Sequence, residues 1–350
     1  MPLDSTPHLL IPFAACSADA WLPTLQSQPP GSFKRLGQLL QGMQRVQTDS
    51  RAAESLSPPH ERALARAVGL ATLQTPDGLI PWAAREAAEQ LQAGDGGKAW
   101  AWITPCHWAM GHLHATLSDP ALLDLQEGES RILLALMQPY FETDGITLHY
   151  LAPGRWLAEG ELFRDLPTAS LDRVLARNVD AWLPQASSVA PIDSALHEMI
   201  KADSRTLRRL QNEMQMLLYT HAFNDARVAK GQMPVNSFWV SGTGALPLAP
   251  AGDLLTPTRS RGVREPVSAP RSLAQSVFRE DWSGYAQAWQ ALETVEIPAL
   301  LARQRAGETV RLTLCGESSA QTFETHRASL YRRISSIFSQ FRPMGLLKQL

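Results

Sequence analysis

Cysteine is scarce: only Cys16, Cys106 and Cys315 occur in 350 residues. An odd, widely spaced set argues against a disulfide framework or a cysteine-rich zinc site and fits a reducing, cytoplasmic setting. An excess of either charge is also lacking. Lys and Arg total 32 against 34 Asp and Glu, a formal net charge of -2, so nothing at whole-chain level suggests nucleic acid or an acidic membrane as a partner. No apolar stretch approaches the ~20 residues of a membrane span. The run Leu9–Cys16 follows Asp4 with no Lys or Arg and is interrupted by Pro12, which reads as a buried first strand rather than a signal core. A Walker A loop, a dinucleotide fingerprint, a Ser-His-Asp order with supporting local motifs, internal repeats and coiled-coil heptads are all missing.

What is present is a globular α/β pattern. With 44% hydrophobic and 19% charged residues, the chain can bury one large or two ordinary cores. His8–Ala15 reads as a central strand of a mostly parallel sheet. Helices are expected over 33–43, 60–73, 81–92, 127–141, 171–182 and 281–301, with a last one over 331–341. Strands are expected at Trp100–Ile103 and Ile146–Leu151, the latter returning as a hairpin at Gly154–Leu157, and at Thr309–Cys315. The segment 245–272, with five prolines and four arginines, reads as one long loop, either a lid or an extended surface crossing.

The densest concentration of distinctive residues lies at Leu207–Gly244. Leu207, Leu210, Met214, Leu217 and Leu218 form a helical apolar stripe. Gly231 and Pro234 break it, and Asn236–Val240 follows as a short strand. Ser241-Gly-Thr-Gly244 then offers hydroxyls and bare backbone at a strand end, where open α/β sheets hold ligands. Asn224, Arg227 and Asn236, close in sequence, complete a candidate anion site with Ser241, Gly242, Thr243 and Gly244. The ordinary alternatives are a tight turn that seats Trp239 and a salt bridge from Arg227 to Asp225 or Glu213. His107, His112 and His114 are the metal candidates, with Cys106 or Asp119 as a further ligand. Their ordinary alternative is a tryptophan-rich packing segment whose histidines bond backbone. His221, just past a helix end, suits a structural role.

Taken in this order, the sequence LQNEMQMLLYTH…N..R…G…VNSFWVSGTG resembles a proteobacterial family labelled RpfE-type regulatory protein or phosphoglycerate mutase. More distantly the chain resembles archaeal-type cofactor-independent phosphoglycerate mutases of the alkaline-phosphatase superfamily, through Asn224, Arg227, Gly231, Asn236, Trp239, Gly242 and Gly244. The resemblance implies an alkaline-phosphatase-like, mostly parallel sheet flanked by helices, formed by residues 1–95 and 200–350, with a smaller α/β subdomain inserted at 96–199. It also implies a two-metal site with a Ser or Thr nucleophile. This chain departs from that pattern. The first strand ends in Pro12-Phe-Ala-Ala15 where Asp-Gly is expected, the late strand ends in Leu314-Cys-Gly-Glu317 where Asp-His is expected, and Asp281–Tyr285 contains no histidine.

The resulting expectation is a degenerate phosphoglycerate-mutase-like protein without metal cofactor. It would bind a small phosphorylated or carboxylated metabolite, or act in regulation. The alternatives are an active mutase or phosphatase with a rebuilt zinc or manganese site, and a docking protein that engages a protein partner through 245–272. Nucleic acid and membrane are not expected partners.

Overall fold

β1 (His8–Ile11) is buried along its whole length, its Leu9-Leu-Ile11 run as apolar sequence requires and His8 with it. It anchors the first of two units in a computed structural model that describes residues 6–91, 97–111, 114–184, 194–247, 267–326 and 343–350. One unit comprises Met1–Leu73 with Thr258–Leu350, and the other comprises Gln74–Pro257. The chain is mixed α/β. The segment 200–245, expected with the two chain ends, supplies a helix and a strand of the second unit.

In the first unit a five-stranded sheet has the order β2 (Met43–Ser50), β11 (Ser319–Thr325), β10 (Arg311–Cys315), β1, β9 (Val267–Ser268). β1 is parallel to β10, with Leu9 opposite Leu312, and also to β9. β11 is antiparallel to β10 and to β2, so the sheet is mixed. Its core joins Leu9, Ile11, Leu312 and Leu314 to helix residues Leu36, Leu39, Trp289, Leu292 and Leu300. The helix expected over 281–301 is two helices, Trp282–Thr294 and Glu296–Arg305. Pro298 has no amide hydrogen, and its ring would clash with the carbonyl of residue 294 in a continuous helix.

In the second unit a four-stranded antiparallel sheet has the order β6 (Thr147–Ala152), β7 (Arg155–Glu159), β3 (Ala99–Cys106), β8 (Ser237–Ala245). β4 (Trp108–Met110) and β5 (Ala115–Leu117) form a separate hairpin. Helices Glu127–Glu142 and Ser194–Tyr219 pack Leu133, Met137, Phe141, Leu207, Leu210 and Met214 into this unit's core. The first begins with a reciprocal capping box between Gln126 and Glu129. The helix expected over 171–182 is only Leu171–Val174 followed by a 3-10 turn, Val179–Ala181. Between them the backbone turns at Ala176, with φ 59°, and Leu175 and Asn178 bridge to β5. Pairing with a strand replaces the helical hydrogen bonds there. The expected helix at 331–341 and most of the 245–272 loop lie outside the described residues. Among the described residues, no helix is long and apolar enough to cross a membrane.

Candidate functional site

Ser241–Gly244 is not a loop beyond a strand: it is part of β8, paired with β3 through Ser241 opposite Trp102 and Gly244 opposite Trp100. The register shifts between these pairs, and Gly242 sits in the left-handed region at φ 65°. A Cβ on Gly242 would approach the Trp102 ring to 2.8 Å, so glycine here serves both a bulged backbone and a close aromatic contact. A Cβ on Gly244 would come within 3.0 Å of Pro81.

Thr243, Asn224, Asn236 and Arg227 are bonded to the protein's own groups. The hydroxyl of Thr243, fully buried, donates to the Leu166 carbonyl at 2.7 Å and lies 2.9 Å from the Thr168 hydroxyl. Ser241 is 5% exposed. The Asn224 amide donates to the carbonyls of Leu218 and Val235, while its oxygen accepts from the Val235 N–H. Asn236 brackets β4, accepting from the Trp108 N–H and donating to the Trp108 carbonyl. Arg227 is 1% exposed. Its Nε donates to the Met233 carbonyl at 2.9 Å, one Nη to the Glu129 carboxylate at 2.8 Å, and the other to the Leu123 carbonyl. Its acidic partner is therefore Glu129, not Asp225 or Glu213. Asn224, Arg227 and Asn236 thus tie the 222–236 connection to its surroundings.

The histidine candidates divide. The His107 ring nitrogen Nδ1 lies 2.9 Å from the Pro234 carbonyl, His114 is exposed, and His112 lies outside the described residues. Cys106 is fully buried, and burial pushes its thiol well above the usual range. The Asp119 carboxylate accepts from the Ala121 N–H and caps the short helical turn Pro120–Leu123. His221 caps helix Ala222–Ala229, its ring accepting from the Phe223 N–H. Among the described residues, neither unit on its own gathers three potential metal ligands.

In the first unit, parallel β1 and β10 end side by side. Phe13, Ala14 and Ala15 are buried there beside Cys315 and Gly316. The Ala14 N–H donates to the Cys315 carbonyl, and the buried Tyr285 hydroxyl donates towards the carbonyls of Phe13 and Ala14. Burial pushes the Cys315 thiol upward, disfavouring the thiolate a metal would require. The nearest carboxylate past β10, Glu317, accepts from both the N–H and the hydroxyl of Ser17. Aliphatic, aromatic and protonated-thiol groups do not make a donor set for hard divalent cations.

An arginine-rich groove escaped the sequence reading. Helix Ser194–Tyr219 turns Arg205, Arg208, Arg209 and Asn212 outward, with Tyr140 forming part of the wall. In sequence these arginines occupy the positions opposite the Leu207, Leu210 and Met214 stripe.

No family model matches the chain, and comparison with curated proteins finds no match. Among solved structures, it is similar to a cofactor-independent phosphoglycerate mutase from Thermoplasma acidophilum DSM 1728, at 13% identity over 99% of each chain and a TM-score of 0.35. It is also similar to the PH0037 protein from Pyrococcus horikoshii, at 10% identity over 92% of this chain and 87% of that one, with a TM-score of 0.38. Likeness at this level assigns no residue a role.

Proposed function

We propose that the chain is a phosphoglycerate-mutase-like pseudoenzyme that works by binding, in a regulatory role, and not by two-metal phosphoryl transfer. The observation that supports this most directly is the chemistry at the adjacent ends of β1 and β10. Two-metal catalysis needs carboxylates and imidazoles that clamp both ions around the reacting phosphoryl group. Here the same edge carries Phe13, Ala14, Ala15, Cys315 and Gly316, closed over by Tyr285. Replacing any one of them would not restore a ligand shell, because the backbone carbonyls and the thiol already lie in the core.

A small phosphorylated or carboxylated metabolite remains a ligand class for this reading. At Ser241–Gly244, however, it would have to displace the partners of Thr243, Asn224 and Arg227, each buried and bonded. Unsatisfied buried polar groups cost about 1–3 kcal/mol each, so such a site opens only against the fold. The test is direct. Purified protein is analysed for bound zinc and manganese, then assayed for turnover of 2- and 3-phosphoglycerate with either metal added. The proposal expects no stoichiometric metal and no metal-dependent turnover. Turnover that requires added manganese or zinc would overturn it and favour an active mutase or phosphatase.

A further inference from the structure

The geometry points to the outward face of helix Ser194–Tyr219 as a docking groove for an acidic, amphipathic helical segment of a protein partner. Arg205, Arg208, Arg209, Asn212, Met216 and Tyr219 fall on one strip, about 100° wide and about 21 Å long at the helical repeat. The strip lies opposite the buried Leu207, Leu210, Met214 and Leu218.

The strip has two chemically different ends. Arg209 is already spoken for: its guanidinium donates to both Asp144 oxygens and to Glu213. Arg205 gives its Nε to the Lys201 carbonyl, and among the described residues neither Arg205 nor Arg208 has a carboxylate partner. These two cations are one helical turn apart, the spacing at which side chains are neighbours. At the other end Met216 is 74% exposed and Tyr219 is 84% exposed, the two most exposed large hydrophobic side chains among the described residues. Met216 lies about 12 Å along the axis from Arg208. Methionine and tyrosine are side chains that interfaces favour.

This combination selects among occupants. A small metabolite would remain largely in water, because the groove is open and its cations are spread along the helix. A nucleic acid would bring phosphates against Asp144 and Glu213 as well as against the arginines. A peptide helix presenting two carboxylates one turn apart, then an apolar side chain about two turns on, confines its charges to Arg205 and Arg208, which have no carboxylate partner among the described residues, and meets Met216 with apolar surface, whereas a phosphate backbone would run its charge on past Asp144 and Glu213. The inference rests on the binding reading above, but their failures are separable: catalytic turnover would refute that reading, and the peptide experiment below would refute this one.

The experiment selects a display library of random peptides on the full chain, then measures the recovered peptides by fluorescence anisotropy. The expected result is enrichment of sequences with paired acidic residues and a following apolar residue. Binding should weaken about tenfold with Arg205→Glu/Arg208→Glu, as two exposed ion pairs are reversed, and weaken again with Met216→Asp. All three positions are solvent-facing, so the thermal unfolding of the variants should match the parent chain. Enrichment without acidic bias, enrichment indifferent to these substitutions, or no enrichment would each overturn the proposal. So would displacement of the peptides by single-stranded oligonucleotide, heparin or 3-phosphoglycerate at lower concentrations than the peptides themselves.

Discussion

Replacing Arg227 by alanine separates an architectural arginine from a ligand-binding one. A ligand-binding arginine would cost affinity and leave the fold intact. Arg227 instead is 1% exposed and holds three groups at once: Met233 and Leu123 through their carbonyls, and Glu129 through its carboxylate. Truncation leaves two carbonyls short of a donor and removes the guanidinium from a buried pocket. Glu129 is 21% exposed and still accepts from the Gln126 N–H, so its share is discounted for solvent. Breaking a buried pair from one side costs about 3–5 kcal/mol. For a unit the length of Gln74–Pro257 that corresponds to a drop of about 10 °C in midpoint. Because the chain has two units, the assay is calorimetry or urea unfolding followed by two probes, so that loss in one unit is not averaged over both. Arg227→Lys should recover only part of the loss, since an ammonium cannot span three acceptors with the geometry of a planar fork. If Arg227→Ala unfolds like the parent chain, or loses only a thermal shift caused by 3-phosphoglycerate, the architectural reading fails.

Three further outcomes follow from the same reasoning. His8 is 4% exposed, with Nε2 on the Thr313 hydroxyl and a buried Nδ1 that has no partner among the described residues; burial, aided by Arg311, pushes its pKa down to about 4. The unfolded chain therefore binds a proton between pH 6.5 and 4 that the folded chain refuses, so stability falls with pH across that window by roughly 3 kcal/mol and no further below it; urea midpoints of His8→Gln should be flatter there, and an unchanged profile would refute the assignment. Gly242→Ala should destabilise the second unit by about 2 kcal/mol, because φ 65° and the Trp102 ring both resist a Cβ, and wild-type thermal unfolding would contradict it. Cys106 and Cys315, fully buried with raised pKa, should resist alkylation at neutral pH in the folded chain and react once it is unfolded, a difference read by mass spectrometry.

Periodicity was a good guide where one face of an element decides its burial. Helices Glu127–Glu142 and Ser194–Tyr219, the hairpin of β6 and β7, and the fully buried β1 are all readable from apolar spacing. It failed where tertiary pairing decides. β2, Met-Gln-Arg-Val-Gln-Thr-Asp-Ser, is exposed or half-buried throughout and lies at a sheet edge; it is a strand because β11 bonds to it, and no apolar alternation announces that. β8 runs through two glycines that a sequence reading takes as punctuation, because β3 supplies the backbone partners and Trp102 fills the space above Gly242. Leu171–Trp182 has helical spacing but gives up its middle to bridges with β5.

The candidate site shows a different limit of sequence spacing. Asn, Arg, Ser and Thr in a compact motif look like ligand chemistry because each can bind an anion. Each can equally satisfy a buried backbone, and spacing does not distinguish the two uses. What distinguishes them is whether every donor and acceptor is already matched, since a buried polar side chain persists only when it is. Asn224, Thr243 and Arg227 are buried and bonded to the protein, and the half-buried Asn236 is bonded through both its amide oxygen and its nitrogen. The most distinctive stretch of the sequence is distinctive because it solves a difficult packing problem, joining helix Ala222–Ala229, β4 and β8 through side-chain-to-backbone bonds. The proposed docking strip is built from residues under no such constraint. Arg205 and Arg208 lack a carboxylate partner among the described residues, and Met216 is largely exposed. These positions were inconspicuous in sequence because an outward arginine is ordinary; it is their unspent charge beside exposed apolar surface that gives the strip its chemistry.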